Sequence, residues 1–190
     1  GDILTTYTCC MSESKHPFTV GLTARRDVPT AAQLHQVLNV LDTWESFREG
    51  GRLVHGGCLG GDAAIHDYVF LRNPHTLIDV WPGHLPQWRA PLKGCECRSY
   101  DKMLNSTSAR VRVQLPQHTL KRNRIIVDRA DVLVAIVSGP ERVRSGTWST
   151  VRYARESRAP HILFYPDGSI ERVTYTNGRA HITRETYTHV

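Results

Sequence analysis

The chain has 190 residues, 40% apolar and 22% charged, which is the size and composition of one globular domain and excludes a disordered or fibrous protein. No apolar run approaches the roughly 20 residues that cross a bilayer, so we expect no membrane association. The net charge of +6 comes from 24 basic against 18 acidic residues without a long basic block, which argues against nucleic acid as the main partner.

The first half of the chain alternates predicted strands and helices. Residues 1–15 are interpreted as a flexible leader, and their lack of a signal-peptide pattern favours a cytoplasmic protein. The spacing of apolar residues then predicts, in chain order, a strand at 18–22, a helix at 34–44, a strand at 52–55, a helix at 63–71 and a strand at 76–81.

Residues 82–118 break this alternation. The stretch is rich in proline and polar residues, and we interpret it as an insertion or lid loop, because long irregular loops in compact domains are often functional. It contains Cys95 and Cys97, but no second pair lies at zinc-site spacing, so we predict neither a metal site nor a cofactor.

The second half of the chain returns to the same alternation. The predicted elements are a helix at 120–130, a buried strand at 132–137, a helix at 147–157, a strand at 161–165 and a hairpin over 173–182. The hairpin is centred on Asn177-Gly178, a pair that suits a type I′ turn. We therefore divide the chain into the leader, a Rossmann-like domain over 16–168 and a C-terminal hairpin extension over 169–190.

This order of elements predicts an α/β fold. We expect a Rossmann-like three-layer sandwich, with a mostly parallel sheet, helices on both faces and the C-terminal hairpin. Numbering the five predicted strands along the chain, the favoured order is 3-2-1-4-5. Three loops then meet at the carboxyl ends of the strands, where open α/β sheets bind ligands: 23–27, 56–62 and 138–147.

The loop after the second strand has the composition of a phosphate site. Gly56, Gly57, Gly60 and Gly61 lie between a strand and a helix, and glycine lets backbone N–H groups approach a phosphate closely. The run matches neither the Walker pattern nor G-x-G-x-x-G, and the alternative is tight strand–helix packing. Asp62 then contacts a ribose, orients the glycine loop or caps the helix, and it is also a weak catalytic candidate.

Several side chains near these loops have a functional and a structural interpretation. Arg25 suits a second phosphate clamp, because guanidinium binds phosphate through two parallel hydrogen bonds. Arg122 and Arg124 bind either an anion or only solvent. Trp88 either stacks a base or packs in a lid. His66 is expected at the surface. Thr23 in the loop after the first strand, and Ser138 and Gly139 in the polar loop after the fourth strand, are further candidates, because these loops meet at the same edge of the sheet.

The segment from His55 to Asp62 resembles the H-G-G-x-x-G-x-D motif of the SLOG superfamily. The resemblance continues in Arg122-Asn123-Arg124, in 130–135 and in Ser145-Gly146-Thr147, and it is closest in spacing to small phage and bacterial members. That superfamily includes the Lonely Guy phosphoribohydrolases and DNA-processing protein A.

The resemblance implies a small nucleotide-like ligand held at the three loops. The four glycines would line the ligand, Arg124 would contact a charge, and Ser145, Gly146 and Thr147 would donate hydrogen bonds to phosphate. Hydrolytic members carry a glutamate three residues after that threonine, where this chain has Thr150. We therefore expect a binding or sensing module. The alternatives are a nucleotide N-glycosidase with another carboxylate and a single-stranded DNA-binding protein. The resemblance also implies a homodimer, to which the hairpin could contribute strands.

Overall fold

The computed structural model describes residues 16–95 and 108–188. Its strands are β1 (Thr19–Ala24), β2 (Arg52–His55), β3 (Leu77–Val80), β4 (Val111–Val113), β5 (Val132–Ile136), β6 (His161–Phe164), β7 (Ile170–Thr176) and β8 (Arg179–Glu185). Its helices are α1 (Ala31–Thr43), α2 (Glu45–Arg48), α3 (Gly61–Arg72), α4 (Thr119–Arg129) and α5 (Gly146–Glu156), with a 3₁₀ turn at Pro86–Trp88. The leader and Cys97 lie outside the described residues.

One eight-stranded sheet organises these elements. Its order is β4-β3-β2-β1-β5-β6-β7-β8, with β1 to β6 parallel and the last two strands antiparallel. The five strands predicted from the sequence occur as β3-β2-β1-β5-β6, so both the fold class and the predicted order are confirmed. The chain reverses its direction of winding between β1 and β5, and their carboxyl ends border the gap where such folds bind ligands.

The two faces of the sheet are both covered, as the burial of β5 shows. Val132, Val134 and Ile136 pack into the cluster that includes residues of α1 and α3. Leu133 and Ala135 point the other way, toward α4 and α5. A strand buried on both faces is expected to be apolar throughout, and this explains the uninterrupted apolar run that the sequence carries.

The region at 82–118 contributes more regular structure than the sequence indicates. β4 lies in it and pairs in parallel with β3, which adds an edge strand that the sequence analysis does not predict. The short length of β4, three residues, explains why its apolar alternation gives no signal. The 3₁₀ turn carries Trp88 to the neighbourhood of the loop after β2, where Cys58 and Arg89 form an isolated bridge.

The C-terminal hairpin belongs to the main sheet. β7 pairs with β6, and the turn between β7 and β8 has positive φ at Asn177 (51°) and Gly178 (76°), as a type I′ turn requires. The predicted turn is therefore confirmed. The strands are longer than predicted and extend the sheet by two members.

Candidate functional site

A polar cleft of about 690 Å³ opens at the carboxyl ends of β1, β2 and β5. All three predicted loops contribute to it, together with the first turns of α4 and α5 and the 3₁₀ turn. Of the predicted site residues, those that line it are Thr23, Arg25, Gly56, Asp62, Arg122, Ser138, Ser145, Gly146 and Thr147. The other predicted residues, Gly57, Gly60, Gly61, Arg124 and Gly139, are not among its lining residues.

The glycines after β2 serve close packing. A Cβ on Gly56 would overlap the Arg122 guanidinium, and one on Gly61 would overlap the Cβ of Ala24. Gly60 has φ 87° and ψ −123°, and a Cβ there would lie 2.5 Å from the backbone carbonyl of Arg26. These glycines let α3 begin directly against the loop after β1. The interpretation as tight packing thus accounts for most of the run.

Arg122 is the central buried cation beneath the cleft. Its side chain projects from α4, and its Nη1 donates to the carbonyl oxygens of Gly56 at 3.1 Å and Trp81 at 3.3 Å, while Nε donates to Asn123 Oδ1 at 2.9 Å. Only 5% of the residue is exposed. Arg122 therefore fixes the loop after β2 and contributes positive charge to the floor of the cleft, so the interpretation as a solvated face is wrong for this residue.

Asp62 lies at the floor of the cleft and is not the helix cap. The N-cap of α3 is Gly60, and Asp62 Oδ2 instead accepts from the Cys58 amide at 3.2 Å. The other carboxylate oxygen, Oδ1, is buried and has no hydrogen-bond partner among the described residues. Burial raises the pKa of Asp62 to about 6, although the positive charge of Arg122 opposes that shift.

The loop after β5 has free space beside its glycines, whereas the glycines of the loop after β2 are tightly packed. Ser145 caps α5 by accepting from the Trp148 amide at 3.3 Å, and Gly146 and Thr147 form the first turn behind it. No other atom lies within 4 Å of a Cβ built on Gly146. The first amides of a helix lack intrahelical partners, so this terminus faces the cleft with room for a ligand.

The arginines around the cleft differ in how far they are already paired. Arg25 donates to both carboxylate oxygens of Asp27 and to Gln33 Oε1 at 3.2 Å, so an anion would have to compete with Asp27 for it. The hydrogen bonds from Arg25 lower the pKa of Asp27. The Arg26 guanidinium lies 4.3 Å from the centroid of Trp88, a lining residue that is 36% exposed. Of the two arginines in this loop, the sequence analysis predicts only Arg25 as a site residue.

Two further arginines lie in the loop after β5. Arg142 and Arg144 both line the cleft and both are exposed. The main chain of this loop is held by Arg152, which donates to the carbonyl oxygens of Arg142 at 3.2 Å and Val143 at 3.1 Å. The loop thus has a fixed backbone, while two long cationic side chains extend from it at the mouth of the cleft.

Arg124 and Thr150 lie outside the cleft. Arg124 is exposed on α4 and its guanidinium lies 5.3 Å from the ring centroid of Tyr153, beside a separate small depression. Thr150 is fully buried, and its hydroxyl donates to the Gly146 carbonyl at 3.0 Å. The structure therefore does not bring Arg124 to the predicted site, and Thr150 offers nothing to a ligand.

A buried histidine pair supports the loop after β2. The Gly57 amide donates to His55 Nδ1 at 3.0 Å, His55 Nε2 lies 2.8 Å from His66 Nδ1, and His66 Nε2 lies 2.8 Å from the Lys93 carbonyl oxygen. With each ring neutral and protonated at Nε2, every bond in this chain has one donor and one acceptor. Burial lowers the pKa of both rings. The expected surface position of His66 is wrong.

The described residues contain no group of three or more His, Cys, Asp or Glu side chains placed to hold a metal ion. Within the same ranges, no helix has both the length and the apolar character that a membrane span needs. Comparisons with protein-family models, with curated proteins and with solved structures find no match. The resemblance to the SLOG superfamily therefore stays a prediction.

Proposed function

We propose that the cleft binds a nucleotide or a nucleotide-derived phosphate ligand, and that the protein acts as a binding or sensing module. The observation that carries this proposal is the N-terminus of α5. Its first residues, Gly146 and Thr147, line the cleft, and a Cβ built on Gly146 would meet no atom within 4 Å. Backbone N–H groups and the helix dipole together favour a phosphate at such a position.

The charges around the cleft favour an anion. Arg25 and Asp27 neutralise each other, and Asp62 is the remaining acidic residue among the lining side chains. Against it stand four arginines, which are Arg26, Arg122, Arg142 and Arg144. A phosphate at α5 therefore meets a positive field, and the two exposed arginines are free to close on it through bidentate hydrogen bonds.

Two features support a nucleoside attached to that phosphate. The volume of about 690 Å³ lies within the range of small-molecule sites and exceeds what a bare phosphate needs. Trp88 provides an aromatic wall, and Asp62 Oδ1 is an acceptor that a sugar hydroxyl would satisfy.

Thermal unfolding with a ligand panel tests the proposal. The panel contains inorganic phosphate, ribose 5-phosphate, nucleoside monophosphates and the matching uncharged nucleosides. A ligand at 100 times its dissociation constant adds about 2.7 kcal/mol, which moves the melting midpoint by several degrees. We expect a shift with nucleoside monophosphates that is larger than the shift with phosphate alone.

Arg144→Ala and Arg124→Ala form a matched pair for this experiment, because both remove one exposed arginine and only the first lies at the cleft. We expect Arg144→Ala to weaken binding about tenfold and Arg124→Ala to leave it unchanged. The absence of a shift with any phosphate compound, or equal losses in both variants, would contradict the proposal.

A second candidate function is hydrolysis of a nucleotide N-glycosidic bond, and Asp62 is the observation that favours it. A carboxyl group with a pKa of about 6 can exchange a proton near neutral pH, as a general acid or base must. Release of free base from a nucleoside monophosphate, lost in Asp62→Asn, would establish the enzyme. Binding of the same compound without base release would establish the module.

A further inference from the structure

β8 forms a free edge of the main sheet. It spans seven residues, pairs only with β7 among the described residues, and all seven are exposed. The opposite edge, β4, has three residues. An edge strand of this length without proline is a template for pairing with another chain, because a row of its N–H and C=O groups has no partner in the sheet.

The hairpin turn fixes which backbone groups point outward. In a two-residue hairpin the pair that flanks the turn, Thr176 and Arg179, exchanges hydrogen bonds, and bonded and non-bonded pairs then alternate along the strands. The register continues without interruption to the pair of Ile170 and Glu185. Every second residue of β8, at positions 180, 182 and 184, therefore directs its N–H and C=O away from β7.

The sequence of β8 is self-complementary about its middle residue. If two copies pair antiparallel with Ile182 opposite Ile182, Arg179 of each copy lies opposite Glu185 of the other. The same register places Ala180 opposite Arg184, so no like charges face each other. Centring the pair on Arg184 instead would oppose two arginines, which is unfavourable.

The free charges on β8 agree with this register. Arg184 Nε already donates to Glu171 at 2.8 Å on its own hairpin. Arg179 has no carboxylate partner in the part of the chain that the structure describes, and Glu185 accepts only at Oε1, from Arg172 Nε at 2.9 Å. An arginine from a second copy would thus meet a carboxylate with an oxygen to spare.

We propose that two copies of the protein form a symmetric dimer by antiparallel pairing of β8 with β8, centred on Ile182. The outward N–H and C=O groups at 180, 182 and 184 of both copies form the new ladder, and the Arg179–Glu185 pair occurs twice across it. The two sheets then join into one. This dimer is independent of the proposed ligand, since no residue of β8 lines the cleft.

Sedimentation velocity of the full chain over a range of concentrations tests the dimer. Ile182→Pro removes one outward N–H from each copy and leaves the bonds between β7 and β8 in place, so we expect the dimer dissociation constant to rise at least 100-fold. Ile182→Thr is the matched control, because it removes the apolar side chain and keeps the N–H. We expect it to remain a dimer. Circular dichroism establishes that both variants are folded.

Charge exchange tests the register without altering the backbone. Arg179→Glu alone places two carboxylates opposite each other, Glu185→Arg alone places two arginines opposite each other, and we expect each variant to be a monomer. Mixing the two restores both opposite-charge pairs, so a heterodimer is expected. A monomeric natural chain, a dimer that survives Ile182→Pro, or a mixture of folded variants that stays monomeric would each overturn the proposal.

Discussion

The loops after β2 and β5 both carry glycines at the same edge of the sheet, yet their glycines have opposite surroundings. Those after β2 have no room for a Cβ, because backbone or side-chain atoms of other residues already fill that space: Arg26, Arg122, Ala24 and Val80. Gly139 and Gly146, beside the loop after β5, have no atom within 4 Å of a Cβ position. The glycines of the first loop are tightly packed, and those of the second loop border open space.

This difference shows what a glycine-rich segment can mean. The first loop holds its own polar groups: Arg122 binds the Gly56 carbonyl, and Asp62 binds the Cys58 amide. Little of its main chain is left for a ligand. The second loop presents a helix terminus and two exposed arginines, so we expect the proposed ligand to contact mainly this loop. The first loop positions the floor of the cleft.

The largest expected effect comes from comparing Gly60→Ala with Gly146→Ala. Gly60 combines a backbone conformation essentially restricted to glycine with a Cβ position 2.5 Å from the Arg26 carbonyl group. We expect Gly60→Ala to lower the free energy of unfolding by about 3 kcal/mol or more. Gly146→Ala lies in open space at a helix start, and we expect a change within about 0.5 kcal/mol. Urea unfolding measures both.

Equal effects of the two glycine substitutions would remove the distinction between a packed and an open loop. The same pair also separates stability from binding. The methyl group of Gly146→Ala would occupy part of the space in front of the α5 amides, so this variant is expected to bind phosphate ligands more weakly at nearly natural stability.

Arg122 and Arg124 provide the next comparison, two residues apart on one helix. Arg122→Leu leaves the carbonyl oxygens of Gly56 and Trp81 buried without their donor, and each such loss costs about 1–3 kcal/mol. We expect a loss of about 2–4 kcal/mol in the free energy of unfolding. Arg124→Leu changes an exposed side chain and is expected to stay within about 0.5 kcal/mol. A large effect of Arg124→Leu would mean that α4 is rotated from the orientation described.

The helix patterns explain which parts of the site the sequence can predict. The buried positions of α4 include Arg122, Ile126 and Val127, a stripe at i, i+4 and i+5, and Arg124 falls between its members. Burial follows helical spacing whatever the polarity of the residue, so the spacing alone could have separated Arg122 from Arg124. An interpretation based only on the motif Arg122-Asn123-Arg124 assigns both arginines the same role.

The same reasoning applies to α3. Asp62, Ile65, His66 and Val69 are buried at i, i+3, i+4 and i+7, but two of the four are polar, so the stripe is hidden from a search for apolar residues. The partner of His66 is His55 on β2, a contact that depends on how the helix lies on the sheet. Strand order and turn type were predictable because they follow from local patterns and topology, whereas such buried polar contacts depend on three-dimensional packing.

The pH dependence of the free energy of unfolding distinguishes the contribution of Asp62 from that of the buried pair His55 and His66. The pKa of Asp62, about 6, is raised from 3.8, so between these values the folded protein holds a proton that the unfolded chain has released. The contribution of Asp62 to the free energy of unfolding therefore falls as the pH rises from 4 to 6. The histidines act in the opposite direction, because their lowered pKa makes stability fall as the pH drops below about 6.5.

Asp62→Asn isolates the acidic contribution, because the histidine terms are common to both proteins. We expect the variant to gain stability relative to the natural chain as the pH rises from 4 to 7, by up to about 3 kcal/mol. Chemical unfolding at several pH values measures the difference. A difference that does not change with pH would show that the carboxyl group is ionised throughout and that the floor of the cleft is solvated.

The smallest expected effect concerns Ser145, which has two roles in the open loop. Ser145→Ala removes the cap of α5 and is expected to cost about 1 kcal/mol. Ser145→Asp retains a good cap and places a negative charge at the positive end of the helix, so we expect its stability to equal that of the natural protein. The same charge repels a phosphate, and binding should fall further than in Ser145→Ala. Ser145→Ala therefore has the larger loss of stability, and Ser145→Asp has the larger loss of binding. If the end of α5 only stabilises the fold, Ser145→Asp will bind phosphate ligands as well as Ser145→Ala does.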